Sequence, residues 1–141
     1  MRMPARRVLV IEDEPGARDA LGNLLAEEGY DVRTAASGSD GLDFLVDFDP
    51  DTVVCDFYLP DIDGLEVLRR VREKAAPGVL FIVMSAACGG AESEALVTEE
   101  ADYFLKKPID VAEFRRLLKN HPARIASAIT PNNSERKGLL L

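Results

Sequence analysis

The chain has 141 residues, 47% of them hydrophobic and 30% charged, which suits one folded domain with a single core and excludes a disordered chain. A formal net charge of −8 argues against broad contact with nucleic acid, where nonspecific affinity depends on a basic face that releases counterions. A metal cation, or a basic patch on another protein, is the better-matched partner.

Val8 to Ile11 and Val79 to Met84, the longest apolar runs, are far too short to span a bilayer. Met1 to Arg7 is basic but lacks the apolar core and cleavage site of a secretory leader. A cytoplasmic protein is expected. Cys55 and Cys88 provide no disulfide framework, and one histidine, His121, cannot complete a Cys/His zinc cluster. Cys55 reads as a small core hydrophobe in a buried strand, and His121 as a residue near the end of the last helix.

After a lead over residues 1–6, Arg7 to Ile11 reads as a strand, β-branched and uninterrupted, as in a parallel sheet buried on both faces. Glu12, Asp13 and Glu14 follow at its tip. Pro15 suits the first position of a helix in which Ala17, Ala20, Leu21, Leu24 and Leu25 recur at helical spacing until Gly29. Asp31 to Ala35 is a weaker second strand. Ser37 caps a second helix that carries Leu42 and Leu45 inward.

Asp49-Pro50-Asp51 breaks the chain before the strand Thr52 to Asp56. Past the Leu59-Pro60 and Asp63-Gly64 turn signals, Leu65, Leu68 and Val71 mark a third helix closed by Pro77-Gly78, and Val79 to Met84 is the most apolar strand. Ala86, Ala87, Gly89 and Gly90 suggest a loop. The following helix, roughly Ala91 to Glu99, offers only Ala95, Leu96 and Val97 as anchors and is expected to be short or mobile. Tyr103 to Lys106 is a last strand, Lys107-Pro108 a turn, and Asp110 the cap of a helix with Phe114, Leu117 and Leu118 inward.

Strands alternating with helices in this way predict an α/β fold, a doubly wound five-stranded parallel sheet with helices on both faces and right-handed crossovers. The C-terminal ends of the strands then share one edge, where such sheets build their sites. Asp13, Asp56, Ser85 and Lys107 arrive there from the first, third, fourth and fifth strands.

Glu12, Asp13 and Asp56 would repel one another without a cation, and Mg²⁺ takes a few protein oxygens while leaving room for water and phosphate. Taken alone, Glu12 to Glu14 serve equally well to favour the helix N-terminus that follows; convergence with Asp56 favours the metal. Asp56 then suits a nucleophile toward a phosphoryl group. Lys107 supplies a point charge for a phosphoryl oxygen and Ser85 a hydroxyl.

These residues together resemble the receiver domain of two-component response regulators, over Arg7 to about Lys119. Val10-Ile11-Glu12-Asp13-Glu14, Asp56, Met84-Ser85-Ala86 and Lys107-Pro108 carry the resemblance. It implies a flavodoxin-like fold phosphorylated on Asp56 by a histidine kinase or phosphotransfer protein. It also implies Asp13 as a direct Mg²⁺ ligand, Glu12 acting through water, and the Tyr58 backbone carbonyl as a further ligand. Ser85 and Phe104 correspond to the switch pair, and the Lys107-Pro108 bond to one that is usually cis.

The implied mechanism is a population shift: phosphorylated Asp56 attracts Ser85, Phe104 rotates inward, and the face of the fourth helix, fifth strand and fifth helix changes for a downstream partner. The sequence departs from the family at Glu100, where receivers often carry glycine, and in the sparse fourth helix. Such a switch turns over no external substrate beyond its own phosphorylation and dephosphorylation. Two other readings are a degenerate receiver used only for docking and an Mg²⁺-dependent aspartyl phosphatase. The phosphatase usually wants an acid two residues after its nucleophile, where Tyr58 stands. Residues 120–141 are a tail or linker, too short for an effector domain, in which Pro122 could open an extra helix; a homodimer is open, and no membrane or nucleic acid partner is expected.

Overall fold

The computed structural model describes residues 5–86 and 92–120, with the side chains of 92–94 excepted. The chain alternates β1 (Arg7–Ile11), α1 (Pro15–Glu27), β2 (Asp31–Ala35), α2 (Gly38–Asp47), β3 (Thr52–Asp56), α3 (Gly64–Lys74), β4 (Leu80–Ser85), α4 (Glu92–Glu100), β5 (Tyr103–Lys106) and α5 (Val111–Asn120). All neighbouring strands pair in parallel, in the order β2-β1-β3-β4-β5. The expectations for Cys88, His121 and the tail over 121–141 fall outside the described residues.

The strand alternation explains why helices cover both faces. Leu9, Ile11, Val53, Cys55, Phe81 and Val83 point to one side, where they meet Leu45 of α2, Leu65, Leu68 and Val71 of α3, and Val97 of α4. Val8, Val10, Val54, Ile82, Met84 and Leu105 point to the other, against Leu21 and Leu25 of α1 and Phe114 and Leu118 of α5. Leu24, Leu42 and Leu117 are partly buried at the margins of these clusters. β2 alternates poorly because it is a sheet edge.

The helix boundaries follow local chemistry. Ser37 Oγ accepts the Asp40 amide of α2, and Asp110 Oδ1 accepts the amides of Ala112 and Glu113 in α5. Gly29 ends α1 at φ +96°, and Gly78 turns toward β4 at φ +89°, conformations that glycine adopts without a Cβ penalty.

Three details differ from the sequence reading. β4 begins at Leu80 and includes Ser85, because Ser85 pairs with Lys106 and its carbonyl accepts the Lys107 amide at 2.9 Å. Ala20 is exposed on α1, since only the stripe through Leu21 and Leu25 reaches the sheet. In α4, Val97 is buried whereas Ala95 and Leu96 are exposed, so of the three expected anchors only Val97 reaches the core.

Candidate functional site

β1, β3, β4 and β5 each bring a polar residue to the shared edge, at the strand's last position or just past it. β1 runs directly into Glu12, whose side chain is 0% exposed, and then into Asp13, which is exposed. β3 ends on Asp56, which is buried. Ser85 closes β4 and is buried, one residue past Met84, the register partner of Asp56. Lys107 lies just beyond β5 and is joined to Pro108 by a cis peptide, as the sequence suggested.

Lys107 brings two of these strands' acids together. Its Nζ donates to Asp56 Oδ2 at 2.9 Å and also pairs with Glu12 Oε1. Burial by itself would lower the Lys107 pKa, but the two carboxylates outweigh that and hold it above the ordinary lysine value. One oxygen each from Glu12, Asp13 and Asp56 lie within 4.8 Å of one another. Three hard oxygen donors answered by a single amine leave an excess of negative charge, and that donor set suits a divalent cation such as Mg²⁺.

The acidic triplet at the end of β1 divides its work. Glu14 turns away from the cluster and caps α1, accepting the amides of Gly16 and Ala17. Those two bonds, Ala17 first, hold its carboxyl below the usual glutamate value. The helix-terminus reading of this triplet therefore falls to Glu14, and it is Glu12 and Asp13 that stay with Asp56 at the strand edge. Arg18, which the sequence did not single out, reaches back so that its Nη1 donates to the carbonyls of Glu12 at 3.0 Å and Asp13 at 3.3 Å.

The loop after Asp56 is held at several points. The Phe57 amide donates to Met84 O at 2.8 Å, and the Phe57 carbonyl accepts the Gly64 amide at 2.7 Å. A Cβ at Gly64 would stand 2.9 Å from Phe57 Cα and 3.3 Å from the Asp56 carbonyl oxygen, so glycine there allows α3 to start against the acceptor strand. Tyr58 is 50% exposed, with its ring edge-on to Phe57. Asp61, also missed in the sequence, accepts the amides of Gly38 and Ser39 across the loop.

Phe104 is half-buried and packs against the cluster that contains Val83 and Val97. Cys55 is fully buried, its Sγ donates to the Asp56 carbonyl at 3.2 Å, and burial pushes its thiol pKa well up, in keeping with a core role. On the far side, Arg72 Nη2 meets Asp102 at 2.9 Å and Nη1 meets the Val79 carbonyl at 2.7 Å. No sequence signal marked that pair, because Arg72 lies on α3 and Asp102 in the turn before β5, thirty residues apart.

Residues 8–119 match the response regulator receiver domain. The chain belongs to this family. Among solved structures, a response regulator protein from Thermotoga maritima, in complex with Mg²⁺-BeF, is 31% identical, with 83% of this chain and 99% of that chain covered at a TM-score of 0.72. The receiver domain of a sensor histidine kinase from Pseudomonas aeruginosa, with a magnesium ion coordinated in its active site cleft, is 25% identical over 84% of this chain and 98% of that one, TM-score 0.73. A CheY-like receiver domain from Methylobacillus flagellatus is 27% identical over 84% and 100%, TM-score 0.72. The five-stranded receiver sheet is thus the scaffold on which Glu12, Asp13, Asp56, Ser85 and Lys107 stand. Among the described residues, no helix is long and apolar enough to cross a membrane.

Proposed function

We propose that this receiver is a phosphoacceptor switch of a two-component or phosphorelay system, with Asp56 as the residue that takes the phosphoryl group. The observation that carries this reading is the junction of buried Glu12 and Asp56 on Lys107, with Asp13 in reach, at the C-terminal edge of a parallel sheet. Asp13, Asp56 and the Tyr58 backbone carbonyl would hold Mg²⁺, with Glu12 acting through water. When bound, the ion offsets the charge of an incoming phosphoryl group. The Mg²⁺ named with the Thermotoga and Pseudomonas relatives supports this choice of cation.

In the transfer, an Asp56 carboxylate oxygen forms a bond to phosphorus while the bond from phosphorus to the donor breaks. With a phosphohistidine donor, the leaving imidazole nitrogen takes a proton. Lys107 stays beside Asp56 and faces a phosphoryl oxygen, and the Ser85 hydroxyl donates to another. That second bond exists only in the phosphorylated state, so it biases the equilibrium between conformations. Phe104, half-buried on the adjacent strand, follows the β4 loop inward and alters the surface of α4, β5 and α5 for a downstream partner. The chain acts on no substrate apart from its own acyl phosphate, and the receiver unit spans residues 7–119.

Incubation with acetyl phosphate and Mg²⁺, followed by intact mass measurement, tests the reading. Gain of one phosphoryl group by the unaltered protein, absent in Asp56→Ala, is the expected result. An unmodified mass under conditions in which Mg²⁺ binds would sink it.

A further inference from the structure

The geometry points to Asp61 as a positioning residue for the metal site, acting by tying the loop after Asp56 to the N-terminus of α2. This rests on the Mg²⁺ reading above. Asp61 Oδ1 accepts the Gly38 amide at 2.9 Å, and Oδ2 accepts the Ser39 amide at 2.8 Å, so both oxygens are used on a helix to which Asp61 does not belong. α2 already has its own cap in Ser37, which serves Asp40. The Asp61 bonds therefore connect two segments that the chain separates by a whole helix and strand.

What lies between the tied points is the stretch that matters. Phe57 is fastened through both backbone groups, to Met84 and to Gly64. Tyr58, whose carbonyl is the proposed metal oxygen, follows, then partly buried Leu59, and then Pro60 and Asp61. Directly after Asp61, Ile62 packs close over Gly38, so a side chain at Gly38 would collide with it. The loop is thus closed at Phe57 on one side and at the Asp61–Gly38–Ile62 junction on the other. Without the second closure, the Tyr58 carbonyl must be ordered at the moment of metal binding, and that entropy loss weakens affinity.

Burial resists ionisation of Asp61, but the amides of Ser39, Gly38 and Ile62 and the Ser39 hydroxyl together hold its carboxyl well below the usual range. The tie is accordingly ionised throughout the pH range in which a carboxylate site would bind Mg²⁺.

Titration calorimetry with MgCl₂ on the full chain tests the assignment. Asp61→Ala is expected to weaken Mg²⁺ about tenfold, the low end of what loss of a supporting contact does at a metal site, with the rate of acetyl phosphate labelling recovered at saturating Mg²⁺. Asp61→Asn, which keeps one acceptor oxygen, should fall between. Ser37→Ala removes a cap from the same helix without touching the loop, and should leave Mg²⁺ affinity unchanged. Equal affinity in Asp61→Ala and the unaltered protein overturns the assignment. So does an equal loss in Ser37→Ala, which would mean that α2 stability alone is being read. Absence of Mg²⁺ binding by the unaltered protein would instead remove the metal reading on which the assignment stands.

Discussion

Lys107 Nζ sits 2.9 Å from Asp56 Oδ2 while it also pairs with Glu12, so one ammonium is shared by two carboxylates from two strands. The Glu12 side chain has no exposed surface and that of Lys107 keeps 23%. A buried carboxylate whose one ion pair among the described residues is this lysine depends on it heavily, since a charge left unpaired in the interior costs far more than the pair contributes.

Lys107→Ala should therefore destabilise the metal-free protein by about 2–3 kcal/mol, short of the about 3–5 kcal/mol typical of a fully buried pair because water reaches the ammonium. Urea unfolding with and without Mg²⁺ checks this. On the proposed reading the variant still accepts phosphate on Asp56 but signals poorly; normal activation of a partner would remove the role assigned to Lys107.

Asp13→Asn should have the opposite sign. Its carboxylate is exposed and lies within 4.8 Å of the Glu12 and Asp56 ligand atoms, a repulsion of about 1 kcal/mol in water-like surroundings. The metal-free variant should melt higher than the unaltered protein and lose its stabilisation by Mg²⁺. A lower melting temperature would show that Asp13 is not repelled by its neighbours.

Gly64→Ala places a Cβ 2.9 Å from Phe57 Cα, and backbone cannot swing aside as a flexible side chain can. The expected cost is about 1–3 kcal/mol, as for other overpacked positions, measured by urea unfolding. Labelling by acetyl phosphate should slow as well, because the same Cβ presses on the residue that follows Asp56.

Asp102→Ala should cost about 2–3 kcal/mol, since the Arg72 side chain is also 23% exposed, without altering Mg²⁺ affinity. It strips Arg72 of its 2.9 Å carboxylate partner, leaving it only the Val79 carbonyl, and the Phe81 amide of a 2.8 Å acceptor, both at the end of the sheet away from the site, and removal of one partner leaves the other's charge uncompensated. Replacing Arg72 and Asp102 together by leucine should be milder than the single change. Denaturation and calorimetry on the same samples separate the two effects.

The pH dependence of the Asp61 tie has a definite sign. A carboxyl held below its ordinary value contributes stability that is complete above that value and is lost as the pH falls toward its folded-state value. The melting-temperature difference between the unaltered protein and Asp61→Ala should be flat near neutrality and shrink below about pH 4. A difference that persists undiminished in strong acid would show that the carboxylate form is not what matters.

The alternation of apolar strands with amphipathic helices, and the polar residues at the ends of β1, β3, β4 and β5, were legible along the chain. They depend on local periodicity, and a parallel doubly wound sheet brings every such end to one edge. Asp13, Asp56, Ser85 and Lys107 could be picked out for that reason, and the capping roles of Ser37 and Asp110 follow from short-range hydrogen bonding. α4 was harder, because Ala95, Leu96 and Val97 are consecutive and only one of them can face the sheet.

What tertiary structure alone decided are the partnerships between distant groups. Nothing in the order of residues says that Glu12 and Asp56 share Lys107, that Asp61 holds α2, or that Asp102 holds Arg72. Hydrophobic pattern repeats along a chain and so can be read from it. A carboxylate's choice among amides and amines depends on which of them the folded backbone brings within about 3 Å, and that distance exists only once the strands are side by side.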